Sequence, residues 1–224
     1  MVWVITAYQA ALGMALLACA ALGESLGFRR VFTAGVALFI GASGLCALSP
    51  SLPLLVAARF VQGLGGAAVM ALGVALLRAV VPQNRLGAAI GWNALAVALS
   101  SAAGPTIGAA ILSGTSWPWL FAVNLPLGVV VLFATRALPD ASGAARRLDL
   151  RSVALNAAGF ASLVIGAELL PARPALAAVL IAVAAVVLVA LVRREMPKEA
   201  PLIPLDLLRA GSFRISVIAS VLCF

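Results

Sequence analysis

Arg59 lies inside the apolar run LLVAARFVQGLGGAA, five positions after Leu54, and Gln62, Gly63 and Gly66 follow it at three- and four-residue intervals. On a helix those intervals share a face. If the run crosses a membrane, the guanidinium sits about 7 Å below the boundary. A charge there costs about 2.5–3.5 kcal/mol on insertion scales unless it reaches the headgroups or meets a polar partner. Two readings follow: Arg59 snorkels outward, or it serves an internal polar cavity. The neighbouring glycines let another helix backbone approach closely, which a lipid-facing arginine does not need, so the cavity is favoured. Gly65 joins Gly63 and Gly66 as a position for close helix packing.

Three further groups carry candidate chemistry. In ALGESLGFRRVF, Glu24, Arg29 and Arg30 cluster at a helix end, with Gly23 and Gly27 permitting a tight turn. The acid can pair with an arginine or a helix N-terminus and hold that side of a bundle shut. The plainer reading is a positively charged cytoplasmic anchor. In SSAAGPTIGA, Ser100, Gly104 and Gly108 form a flat stripe for another helix, and Pro105 has no N–H for the Ser101 carbonyl, so a bend is expected. Asn124 and Pro126 interrupt the run after Trp119, as an irregularity facing a cavity or as an interfacial helix start.

Other chemistry is excluded. The chain has no histidine and three cysteines, which removes histidine acid/base catalysis, histidine-ligated metals and a disulfide framework. Neither an acid pair nor a Ser/His or metal cluster falls within the apolar runs, so no enzyme activity, metal site or cofactor is expected. Glu168, beside Pro171 and Arg173, reads as an interfacial residue. Cys19, Cys46 and Cys223 read as small apolar packing residues.

The elements that must position these residues are transmembrane helices. Of 224 residues, 64% are hydrophobic and 10% charged, with a mean hydropathy of +1.18, whereas soluble domains carry about 25% charged residues. Runs of about 20 apolar residues are needed to span. Seven occur, at Val2–Leu22, Val31–Leu48, Leu54–Val80, Leu86–Leu112, Trp119–Leu138, Ser152–Leu170 and Pro174–Val192, and an eighth begins near Phe213 and stops at Phe224.

Basic residues fill alternate gaps: Arg29 and Arg30; Arg78 and Arg85; Arg136, Arg146, Arg147 and Arg151; then Arg193, Arg194, Lys198, Arg209 and Arg214. The intervening gaps hold Arg173 alone. The basic gaps are therefore cytoplasmic and the others external, with Trp3, Trp117 and Trp119 at the outer interface. The net charge of +8 is this asymmetry and not a nucleic-acid surface. This orientation puts Met1 outside at the mouth of a helix, so the expectation is a fragment lacking an upstream helix and cut within its last one. The small, polar stretch PDASGAARRLDLRS reads as a linker between bundles, and the two Ala/Val/Leu-rich runs after it as lipid-facing or spacer helices.

The motifs together resemble the major facilitator superfamily of transporters. Arg59, Gln62, Gly63 and Gly65 match the RxxQGxG signature of its fourth helix. Leu22, Gly23, Glu24, Gly27, Arg29 and Arg30 are similar to its loop between helices two and three, with Ala20, Glu24, Ser25 and Phe28 departing from the usual Gly, Asp, basic residue and Arg. Gly104, Pro105 and Gly108 match the helix-five pattern of antiporter members, with Ser100 and Ala109 in place of glycines. WVITAYQAAL and SWPWLFAVNLPLG resemble segments of the fourteen-helix drug:proton antiporters, with Pro118 in place of an arginine.

The resemblance implies an all-α polytopic bundle that exports small hydrophobic or cationic compounds against protons by alternating access. Residues 1–138 would supply five of six helices of the N-terminal bundle; 139–212 a cytoplasmic linker, two inserted helices and a loop; 213–224 the start of the C-terminal bundle. Arg59, Gln62 and Asn124 would serve the cavity and proton coupling, and the Glu24 loop the cytoplasmic gate. The implied partners are a small-molecule substrate, protons and the lipid bilayer of the inner cell membrane, with no nucleic acid, and the full-length protein would be a monomer. An uptake symporter and a non-transporting receptor or scaffold stand as alternatives.

Overall fold

The computed structural model describes residues 2–139 and 149–196. Those residues form helices α1 (Val2–Leu26), α2 (Phe28–Ala47), α3 (Leu52–Val80), α4 (Gln83–Gly114), α5 (Trp119–Ala122), α6 (Asn124–Ala134, closed by a 3-10 turn at Thr135–Ala137), α7 (Leu150–Leu169) and α8 (Pro174–Glu195). No strand occurs among them. Seven stretches are long and apolar enough to cross a membrane, with α5, α6 and the 3-10 turn acting as one. Residues 140–148 of the linker, with Arg146 and Arg147, and everything from 197 onward, including Cys223 and the eighth run, lie outside the described residues.

Two boundaries differ from the sequence reading for identifiable reasons. α1 continues through Glu24 to Leu26 and α2 starts at Phe28, so the expected loop is the single residue Gly27. Gly27 has φ of 99°, a left-handed conformation that costs other residues about 1–2 kcal/mol. Its N–H bonds to the Gly23 carbonyl at 3.0 Å and its carbonyl accepts from the Val31 N–H at 3.2 Å, so both helix ends are satisfied through one residue. The run from Trp119 divides at Val123. Pro126 cannot donate to the Ala122 carbonyl four residues earlier, and Ala122 is where α5 stops. α4, by contrast, runs through Pro105 as one helix.

α3 is the axis of the bundle, with α1 along one side and α2 along another. Small residues make this possible. A Cβ at Gly63 would collide with the Tyr8 carbonyl of α1, and one at Gly65 would lie 2.6 Å from the Phe39 nitrogen and 2.8 Å from the Gly35 carbonyl of α2. Lipid tails are as apolar as leucine, so dispersion between close backbones, with Ala11, Cys19, Ala67, Ala68 and Leu72 filling the core, holds the helices together. Cys19 and Cys46 are buried free thiols.

α6 lies on α2, its Gly128 backbone against Ile40. α4 touches the rest lightly and has no buried residue. α7 and α8 form a tight antiparallel pair, with Gly159 against Leu188 and Gly166 against the Ala177 carbonyl. The pair meets the rest of the bundle where α7 lies on α1. Ser152 and Asn156, one helical turn apart, are both buried, and polar groups buried in an apolar helix face seek partners in a neighbouring helix.

Candidate functional site

The polar residues of α3 and their neighbours meet in the outer part of the bundle. Arg59 is engaged by the neighbouring helices. Its Nε donates to the Val4 carbonyl of α1 at 3.2 Å, and its Nη1 donates to Gln62 Oε1 at 2.7 Å. The guanidinium carbon stands 4.4 Å over the Tyr8 ring centre and 5.6 Å from that of Phe121 in α5. Aromatic faces attract a cation, most strongly where water is excluded. Arg59 is half-buried, and among the described residues its partners are neutral.

Gln62 links the cluster to α2. It is 1% exposed, and its Nε2 donates to Ser43 Oγ at 2.6 Å, while Ser43 donates to the Phe39 carbonyl at 2.8 Å. Cys46 Sγ lies 3.9 Å from Gln62 Oε1 as a weak donor. An amide with two acceptor lone pairs and two donors is suited to this position, since its oxygen accepts a hydrogen bond from the guanidinium and its nitrogen donates one to the hydroxyl. Gly66 allows the arrangement: a Cβ there would stand 2.8 Å from Tyr8 Oη and displace the ring beneath the guanidinium.

The other residues singled out from the sequence lie apart. Gly23 and Gly27 are buried at the α1–α2 turn, Glu24 and Arg29 are half-buried there, and Arg30 is exposed. A Cβ at Gly23 would run into Leu72 of α3. Gly104 has open space where its Cβ would be, and Gly108 has only Leu120 at 3.9 Å, so no described helix lies against that stripe. Asn124 opens α6, half-buried, without joining the Arg59 hydrogen bonds, and Phe121 supplies the contact from that segment. Tyr8, Ser43 and the Val4 carbonyl were not legible as site members. The one available signal was that Tyr8 is the single tyrosine of the chain and stands in an apolar run.

Comparison with known proteins gives the family. Residues 1–222 match the Major Facilitator Superfamily. The chain is 42% identical over 228 residues to the uncharacterized transporter YebQ of Escherichia coli (strain K12), covering 100% of this chain and 50% of that protein. It is 31% identical to the putative multidrug resistance protein MdtD of Klebsiella pneumoniae (strain MGH 78578), over 96% of this chain and 46% of MdtD. It is 34% identical to the riboflavin transporter RibZ of Clostridioides difficile (strain 630), over 58% of this chain and 29% of RibZ. The chain spans about half the length of YebQ and MdtD, the relatives it matches across nearly its whole extent. With seven apolar helices, the RxxQGxG residues gathered on α3 and a family match over almost every residue, this chain belongs to the Major Facilitator Superfamily.

Proposed function

We propose that the protein exports small hydrophobic or cationic compounds across the inner cell membrane in exchange for protons, by alternating access. The observation that carries this reading is the retention of Arg59 inside the bundle by Gln62, the Val4 carbonyl and two aromatic faces. An intramembrane cation kept from the headgroups marks an ion or substrate pathway. Held by neutral groups alone, the guanidinium keeps its charge for a carboxylate that faces it in one state of the cycle. Protonating that carboxylate releases the pair, and this exchange would couple proton entry to the change of state. The name of MdtD supports the drug-export branch, and the name of RibZ adds riboflavin to the compounds worth testing.

In this reading the α1–α6 bundle is one of two halves that rock about a mid-membrane cavity. Gly23, Glu24, Gly27, Arg29 and Arg30 form the cytoplasmic closure, Asn124 borders the cavity, and the Gly104, Pro105 and Gly108 stripe seals against the other half. The protein acts as a monomer. The test is dye or drug transport by the intact protein in everted vesicles under an imposed proton gradient. Arg59→Ala should insert normally and lose about tenfold or more of gradient-driven export. Arg59→Lys should rescue poorly, because an ammonium cannot lie flat on Tyr8 while bonding sideways to both Val4 and Gln62. Near-normal export by the Ala variant would refute the role, and gradient-driven uptake would favour a symporter.

A further inference from the structure

The α7–α8 hairpin meets the bundle through α1, and it does so with directional contacts at separate depths. Near the outer end Thr6 Oγ1 donates to Glu168 Oε2 at 3.1 Å. Deeper, Gly13 leaves its backbone open to the Phe160 ring, whose Cδ1 would be 3.0 Å from a Cβ at that position. Beside it, Asn156 Nδ2 donates to the Met14 carbonyl at 2.9 Å. Residues 6, 13 and 14 are seven and eight positions apart, so one face of α1 receives all three contacts.

The Asn156 amide restricts movement most. It is 1% exposed, and among the described residues its buried Oδ1 has no partner. Among those residues the bond to Met14 is the one hydrogen bond this side chain makes. Sliding α7 along α1 would strip the amide of that bond too, among apolar neighbours that offer no replacement. The hairpin is also closely packed within itself: Gly159 receives the Leu188 side chain, Gly166 lies against the Ala177 carbonyl, and Ser152 Oγ lies 2.5 Å from Glu195 Oε1, which is fully buried.

We infer that the α7–α8 hairpin is a fixed brace of the α1–α6 bundle, positioned by Asn156, and travels with it as one body through the transport cycle. This rests on the alternating-access reading above. The same helix α1 carries Val4 and Tyr8 toward Arg59 and Thr6, Gly13 and Met14 toward α7, so the brace also steadies the Arg59 cluster from behind. The sliding surface of the cycle then lies away from the α1–α7 contact.

The test is to lock the contact. In the intact protein with Cys19, Cys46 and Cys223 replaced, Thr6→Cys and Glu168→Cys are joined by a short bis-methanethiosulfonate, which forms a mixed disulfide with each thiol as sulfinate leaves and is released by a reductant. Export is measured before joining, after joining and after reduction. Most of the unjoined rate should survive joining; a loss of about tenfold that reduction reverses would overturn the inference, since it would mean that the two helices must part. If the unaltered protein exports nothing, the export reading fails and not the brace. If the cysteine-free parent exports and the unjoined variant does not, or if that parent is inert, spin labels at Arg30 of α2 and Arg193 of α8 decide. Their separation should stay within about 2 Å across acidic and alkaline conditions and across added substrate, and a larger change would overturn the brace.

Discussion

Gln62 holds together more of the site than its neutral side chain suggests. It accepts from Arg59 and donates to Ser43, so α2 and α3 share one polar chain inside an apolar bundle. Gln62→Leu takes the acceptor from one guanidinium N–H and the donor from Ser43 Oγ, which keeps only its bond to the Phe39 carbonyl; a buried polar group left short of a partner costs about 1–3 kcal/mol. The detergent-solubilised variant should therefore melt at a lower temperature than the parent, and an unchanged melting temperature would contradict the hydrogen-bond chain. Gln62→Glu poses a different question. It keeps the acceptor for Arg59 but adds a permanent competitor for any mobile carboxylate, so membrane abundance should hold while proton-driven export falls. At position 8 the ring matters more than the hydroxyl, since the guanidinium sits 4.4 Å over its face. Tyr8→Phe should retain most export and Tyr8→Ala should not, a contrast measurable in the same vesicle assay.

At the scale of elements the glycines separate into those that touch backbone and those that face open space. Gly65 stands between Phe39 N and Gly35 O, both main-chain atoms that cannot swing aside, so Gly65→Ala must push α2 and α3 apart. Lower abundance or a lower melting temperature is expected for it. Gly27→Ala should be destabilising by about 1–2 kcal/mol for the separate reason of its left-handed φ. Gly104→Leu should fold like the parent, because nothing described lies within reach of the added side chain. If the stripe seals against the other half of the transporter, that variant will reach the membrane and lose export or leak protons. Full, coupled export by Gly104→Leu would place the stripe against lipid.

At the scale of the molecule the testable quantity is orientation. Arg78, Arg193 and Arg194 occupy the last turns of α3 and α8, where they complement the helix dipole as well as the cytoplasmic charge rule. Ser51 and Gln83 are exposed beyond opposite ends of α3. In a cysteine-free background Ser51→Cys should react with an impermeant thiol reagent added to intact cells, and Gln83→Cys should react only after the membrane is opened. The reverse pattern would invert the topology.

The seven described spans, their alternation and the special status of Arg59 are set by local composition, because a helix long enough to cross lipid must be apolar in sequence and a charge within it is conspicuous. What surrounds Arg59 is a different kind of fact. Tyr8 and the Val4 carbonyl come from a helix some fifty residues earlier, Ser43 from another and Phe121 from a third, and none departs from ordinary apolar-run residues until the helices are assembled. Which groups stand within hydrogen-bond reach of Arg59, and that Asn156 of α7 bonds to Met14 of α1, are not readable from any of these segments alone. Hydropathy is a property of each segment by itself, whereas a polar partner in hydrocarbon is supplied by whichever neighbour lies alongside, and only helix packing decides that.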